Sequence, residues 1–200
     1  MKVKRKLCVY CGSSPGQNPA HGRAARLLGR ALAEAGIGLV YGGGSLGLMG
    51  EVARTVLEAG GHVTGVIPEF LIREEIMLEG VSELIVTSNM HERKMSMFEL
   101  SDGFCALPGG IGTLEELVEV ATWAQLGQHV KPIIVANIDG YWDPLMELIG
   151  HMREEGFFRS STEVRFDAVD KAEQIVPMFE KRLKLKRQPL WTPEQLAKRL

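Results

Sequence analysis

Apolar and polar positions along this chain switch period repeatedly. Short apolar or β-branched runs occupy residues 6–10, 38–41, 62–67, 83–87, 103–107, 132–137 and 164–169, each the length of a strand. Between them, residues 22–35, 48–59, 90–101, 113–126, 141–155 and 171–184 carry apolar side chains at three- and four-residue spacing, which predicts helices. The first shows the pattern well, with Ala24, Leu27, Leu28, Ala31, Leu32 and Ala35 on one face. Strands alternating with helices predict a parallel sheet covered on both sides: an α/β, doubly wound, Rossmann-like fold in a single domain over residues 1–180. Residues 69–80 are polar and irregular, as suits a loop near a site. Residues 181–200 are basic and broken by Pro189 and Pro193, and read as a solvated tail or as a subunit-packing arm.

In such folds ligands bind at the carboxyl edge of the sheet. Glycine-containing turns follow predicted strands at Cys11-Gly12-Ser13-Ser14, at Tyr41-Gly42-Gly43-Gly44 with Gly47 and Gly50 behind it, and at Pro108-Gly109-Gly110. One such turn is weak evidence, because tight turns use glycine anyway. Three at one sheet edge suggest a nucleotide-sized ligand. Neither a Walker lysine pattern nor a G-x-G-x-x-G fingerprint is present, which counts against NTP hydrolysis and NAD chemistry.

The run Leu107-Pro108-Gly109-Gly110-Ile111-Gly112-Thr113-Leu114-Glu115-Glu116 is the most informative. A strand pattern meets a proline and three glycines, and a helical pattern starts at Thr113. Glycines at such a turn let backbone approach a ligand, and the free N–H groups and dipole of the new helix favour an anion. Glu116 sits one turn inside that helix. Thr113-x-x-Glu116 also reads as a capping box, in which the two side chains satisfy the orphan N–H groups at the helix start.

Projected at about 100° per residue, the helix over residues 90–101 places Met90, Met97, Phe98 and Leu100 on one arc, with Glu92, Ser96 and Glu99 opposite. Arg93 and Lys94 fall within the apolar arc, and His91 at its edge, where structural packing is its simpler role. A cation on a buried face needs an anionic partner. For Arg93 that partner is a carboxylate such as Asp102, a ligand phosphate or Glu116, unless the side chain snorkels. Arg suits a planar phosphate fork and Lys a point charge.

Composition narrows the field. Two hundred residues with 45% hydrophobic content suffice for one well-packed domain, and a net charge of -2 gives no general drive toward nucleic acid or anionic membranes. No apolar run reaches membrane-spanning length and no leader pattern opens the chain, so a cytoplasmic protein is expected. Three cysteines argue against a disulfide framework. Cys8-Val9-Tyr10-Cys11 is formally C-x-x-C, but it lies on a strand pattern whose three-residue spacing turns the sulfurs to opposite faces. No His/Asp/Glu cluster suggests a metal.

Pro-Gly-Gly-Ile-Gly-Thr-Leu-Glu-Glu at residues 108–116, together with Met-His-Glu-Arg-Lys at 90–94, resembles the Lonely guy proteins. These are cytokinin-activating nucleoside 5'-monophosphate phosphoribohydrolases, long described as lysine decarboxylases. Cys-Gly-Ser-Ser at 11–14, Tyr-Gly-Gly-Gly from Tyr41 through Gly50, Thr-Trp-Ala-Gln-Leu-Gly at 122–127 and Glu-Glu-Gly-Phe at 154–157 support the match, which spans residues 6–158. The resemblance implies hydrolysis of the N-glycosidic bond of adenosine monophosphate derivatives, without metal or cofactor, by a homodimer with its sites near the subunit interface. It implies Arg93 and Glu116 as the catalytic pair. Lys94, Thr122, Glu75 and the backbone of Gly110, Ile111, Gly112 and Thr113 are the implied nucleotide contacts. Gly12, Ser13, Gly43, Gly44, Met90, Pro108 and Gly109 complete the expected binding set. A lysine decarboxylase would need a pyridoxal phosphate lysine with an acidic partner for the ring nitrogen, and nothing singles one out. The competing class is a binding protein of the molybdenum-cofactor carrier type, which holds a phosphorylated ligand on similar glycine loops without hydrolysing it.

Overall fold

A computed structural model describes residues 3–72, 76–158 and 166–185. The strands β1 (Arg5–Tyr10), β2 (Ile37–Tyr41), β3 (Val63–Pro68), β4 (Glu83–Thr87), β5 (Gly103–Ala106), β6 (Ile133–Ala136) and β7 (Asp167–Val169) alternate with six helices among the described residues. These are α1 (Pro19–Glu34), α2 (Gly47–Glu58), α3 (Met90–Leu100), α4 (Ile111–Gln125), α5 (Asp143–Glu154) and α6 (Ile175–Lys184). The strands form one parallel sheet in the order β4-β3-β2-β1-β5-β6-β7, the doubly wound arrangement expected. Chain direction across the sheet reverses between β1 and β5, and that switch point opens a crevice at their carboxyl ends.

Strands covered on both faces read as continuous apolar runs, and β2, β3, β5 and β6 are buried along their whole length. One core cluster joins Leu7, Val9 and Cys11 of the β1 segment to α1, α2 and α6. The other joins Cys8 and Tyr10 to α3, α4 and the start of α5. Cys8 and Cys11 therefore face opposite layers, and all three cysteines are free and buried. No described helix is long and apolar enough to cross a membrane.

Several boundaries move, each for a local reason. α1 starts at Pro19 rather than at residue 22, because the Asn18 side chain accepts the Ala20 N–H at 2.9 Å and Pro19 fits the first helical position. Its buried face is centred on Ala24, Ala25, Leu28 and Leu32, so Leu27 and Ala35 are exposed. α5 starts at Asp143, after a turn in which Asp139 has φ 51° and the Asn137 side chain accepts the Trp142 N–H. The helix predicted over 171–184 is split by a short 3-10 turn, Ala172–Gln174, ahead of α6. Residues 164–165 of the last predicted strand, Glu75, and residues 186–200 of the predicted tail lie outside the described residues.

Candidate active site

Three turns meet at the crevice. The Gly12 N–H donates to the Pro108 carbonyl at 3.1 Å, which ties the loop after β1 to the loop after β5. The Gly12 carbonyl accepts from Leu48 and Met49 at the start of α2. The Gly109 carbonyl accepts from the Tyr141 hydroxyl at 2.5 Å, and the Gly110 carbonyl begins the α4 ladder by accepting from Leu114. The carbonyls of the Pro108–Gly109–Gly110 turn are thus engaged by the protein.

α4 begins earlier than its pattern suggested, at Ile111, with Gly110 as its N-cap and no side-chain capping bond. Thr113 is therefore already inside the first turn. It cannot serve as the N-cap of a capping box with Glu116, so that reading is corrected. Its hydroxyl packs against Gly109, where any side chain would collide with it. Gly110 and Gly112 are different. Neither has positive φ, and a Cβ built on either meets nothing within 4 Å. The fold itself does not require glycine at these two positions. A ligand approaching the backbone at the positive end of α4 would.

Arg93 reaches the same space from α3. Asn89 caps that helix by accepting the Glu92 N–H at 3.0 Å, while the Glu92 carboxylate accepts from the Ser88 N–H and hydroxyl, both at 2.8 Å. Those two backbone and hydroxyl donors hold the exposed Glu92 carboxyl below its ordinary pKa. With this turn fixed, Arg93 is only 5% exposed. Its Nε donates to the Val66 carbonyl at 3.2 Å and its Nη2 to the Gly42 carbonyl at 3.1 Å, joining α3 to the ends of β2 and β3. A Cβ on Gly42 would strike the guanidinium.

Arg93, Glu116, Gly12, Ser13, Met90, Gly110, Ile111, Gly112 and Thr113 line one cavity of about 290 Å³. Cys11, Met49 and Glu115 line it too, though the sequence reading did not select them. The only available signals were adjacency to the glycine turn, to Gly50 and to Glu116. Burial in β1 pushes the Cys8 thiol and Tyr10 phenol up, and the field of Glu116 adds to both; Arg93 acts on Cys8 in the opposite sense. Both charges therefore bear on the same buried spot.

Other expected residues fall elsewhere. Pro108 and Gly109 line a second, adjoining cavity. Gly43 and Gly44 hold the 69–80 loop: the Gly43 carbonyl accepts from Leu78, and Gly44 pairs with Met77 in a β-bridge. Lys94 turns to α4, where its Nζ meets Glu115 Oε1 at 2.6 Å and Glu119 Oε1 at 2.9 Å. Burial disfavours that ammonium, but the bonds to Glu115 and Glu119 outweigh it and raise its pKa. Thr122 is exposed, with its hydroxyl on the Val118 carbonyl, about 18 Å along α4 from Gly110 at 1.5 Å per residue. His91 is exposed rather than packed, because α3 buries only Arg93 and Met97 against the sheet. Asp102, the structural partner considered for Arg93, instead accepts the Lys6 N–H at 2.8 Å. No group of three or more His, Cys, Asp or Glu side chains among the described residues is placed to hold a metal.

Residues 49–179 match the family model described as possible lysine decarboxylase. The chain is 48% identical over 183 residues to a cytokinin riboside 5'-monophosphate phosphoribohydrolase LOG of Oryza sativa subsp. japonica, covering 88% of this chain and 76% of that protein. It belongs to the Lonely guy family. A second member, LOG5 of Arabidopsis thaliana, is 47% identical over 176 residues, with 88% of this chain and 77% of that protein covered. Among solved structures, the Moco carrier protein of Chlamydomonas reinhardtii superposes with a TM-score of 0.68 at 23% identity, over 90% of this chain and 98% of that one. At that identity the likeness is one of fold alone.

Proposed function

We propose that this Lonely guy protein hydrolyses the N-glycosidic bond of N6-substituted adenosine 5'-monophosphates, releasing free base and ribose 5-phosphate. The observation that carries the reading is the convergence of Arg93, Glu116 and the unobstructed Gly110–Gly112 amide turn on one cavity. The amides at the positive end of α4 take the 5'-phosphate. Glu116 faces the ribose, where cleavage develops oxocarbenium charge. Arg93, its fork anchored on Gly42 and Val66, offsets the repulsion between phosphate and carboxylate.

The decarboxylase description of the family model does not fit this chemistry. A Schiff-base lysine must be deprotonated to attack. Lys94, the lysine within the motif, is instead held as a cation between two carboxylates.

A homodimer in a reducing, cytoplasmic compartment completes the proposal. Three free thiols suit such a compartment. Ile111, Val118 and Leu126 form an exposed apolar stripe along α4 that also carries Thr122, and α5 buries none of its residues within the chain. A second copy on this face would cover both helices and give Thr122 a place near a site.

Purified protein incubated with AMP, N6-isopentenyl AMP, adenosine and ATP, with free base and ribose 5-phosphate quantified, tests the activity. Release from the monophosphates is expected, with little from adenosine or ATP. Tight binding of a phosphorylated ligand with no base released would favour a carrier.

A further inference from the structure

α4 opens on three successive peptide planes, and each is aimed by whatever holds its carbonyl. In a planar trans peptide the C=O of one residue and the N–H of the next point in opposite directions, so an engaged carbonyl fixes the N–H behind it. The Pro108 carbonyl accepts from the Gly12 N–H at 3.1 Å and the Gly110 carbonyl from the Leu114 N–H at 3.1 Å, both bonds between backbone groups. The middle plane is different. The Gly109 carbonyl accepts from a side chain, the Tyr141 hydroxyl, at 2.5 Å. That bond sets the direction of the Gly110 N–H, the first of the amides assigned to the phosphate.

Gly110 itself does little to resist rotation of this plane. Its φ is −87° and its ψ −159°. Turning the plane over would carry φ through about 180° into the left-handed region, which is costly for other residues and open to glycine. A Cβ built on Gly110 meets nothing within 4 Å, so no neighbour crowds the turn on that side. The overturned plane would present a carbonyl oxygen, its negative end, where the N–H faces an anion. Tyr141, by contrast, is firmly seated. It follows Asp139 at φ 51° and Gly140 at φ 73°, two left-handed residues that turn the chain after β6. Asn18 holds Asp139 at 2.9 Å, while Asn137 accepts the Trp142 N–H at 2.8 Å and donates to Asp143 at 2.7 Å. The Tyr141 ring meets His21 and Trp142 edge-on, with centroids 5.2 and 5.0 Å away. Burial keeps the His21 imidazole below its ordinary pKa, hence neutral near pH 7, so the ring packs against an uncharged neighbour.

We propose that Tyr141 is a positioning residue, whose hydroxyl locks the Gly109–Gly110 peptide with its N–H toward the phosphate and its oxygen away. The inference rests on the phosphoribohydrolase reading and names the group that orients the phosphate cradle.

Tyr141→Phe removes the hydroxyl and keeps the ring. It should weaken ribose 5-phosphate binding and raise KM for AMP about tenfold, the lower end for one hydrogen bond to a charged group, with kcat within about twofold. Its Tm should stay within about 3 °C of wild type, because a single hydrogen bond is lost. Tyr141→Leu also removes the ring, and should lower Tm further without weakening ribose 5-phosphate binding beyond the phenylalanine variant. Followed by NMR, the Gly110 amide proton should move downfield when ribose 5-phosphate saturates wild type, and barely move in saturated Tyr141→Phe. The proposal is overturned if Tyr141→Phe binds ribose 5-phosphate like wild type, which would mean that solvent holds the plane equally well. It is overturned too if the Gly110 amide responds alike in both proteins, or if affinity falls only together with a collapse of Tm, the mark of a purely structural role. Ribose 5-phosphate binding is measured without turnover, so base release by wild type tests the activity separately.

Discussion

Gly112→Ala should make the protein more stable and less active. Gly112 is the second residue of α4, its φ is not in the left-handed region, and the added methyl meets no atom within 4 Å. With no clash or strain to offset it, the substitution removes only unfolded-chain entropy, a gain of about 0.4–1 kcal/mol. For a chain of this size that is a rise in Tm of about 1–4 °C. In the complex the same methyl stands beside the amides assigned to the phosphate. Losing or lengthening one hydrogen bond to a charged group costs about 1.5–3 kcal/mol, or roughly ten- to a hundredfold in kcat/KM.

Gly42→Ala is the contrasting case. There the new Cβ collides with the Arg93 guanidinium, so stability and activity should fall together. Thermal melts and AMP hydrolysis on the two variants and wild type are sufficient. A raised Tm with unchanged kcat/KM for Gly112→Ala would show that the open space above α4 is not where the phosphate sits, and the cradle argument would fall with it.

Glu116→Gln should keep the fold and lose about 10²- to 10⁴-fold in turnover, the range for removing an acid–base group; near-normal turnover would leave Glu116 no chemical role. Arg93→Ala should lose activity and also stability, at about 1.5–3 kcal/mol for each hydrogen bond that the charged guanidinium donates to the Gly42 and Val66 carbonyls. Arg93→Lys keeps the charge without the fork, and full activity per folded molecule in the alanine variant would make Arg93 purely structural. For pH, burial holds His129 below its ordinary 6.5 despite its bond to the Val120 carbonyl, so between the two values the unfolded chain binds more protons. Stability should therefore be level above about pH 7 and decline below about 6.5. Urea melts of His129→Gln should show a shallower decline, and an unchanged slope would remove His129 as its source.

The sheet and the order of its elements were legible because burial on both faces leaves an apolar signature that little else produces. Arg93 was legible for a related reason: a cation projecting into an apolar arc is costly, so its presence there signals a partner. Helix starts were less so, since they turn on single bonds. Asn18 capping Ala20 begins α1 three residues ahead of its predicted start, and α4, with no side-chain cap at Gly110, begins at Ile111, two residues ahead of Thr113. Lys94 shows a further limit. Projection correctly turned it inward, but what it meets depends on how α3 and α4 cross, and the crossing supplies Glu115 and Glu119.

Tyr141 was hidden for a different reason. It lies far in sequence from the Pro108–Gly110 turn, in the turn after β6, and touches that turn only because β6 adjoins β5 in the sheet. No periodicity or local spacing encodes that adjacency, and an exposed tyrosine beside a tryptophan is ordinary in a loop. The same strand order accounts for the different linings of the two cavities. β1 and β5 sit side by side at the switch point, so α4 emerges on one side of the sheet edge with its amides and carboxylates. α1 and the turn after β6 close the other side with a neutral imidazole and an aromatic ring. A parallel sheet that reverses direction between these two strands thus sets a cavity lined by charged side chains apart from one lined by none.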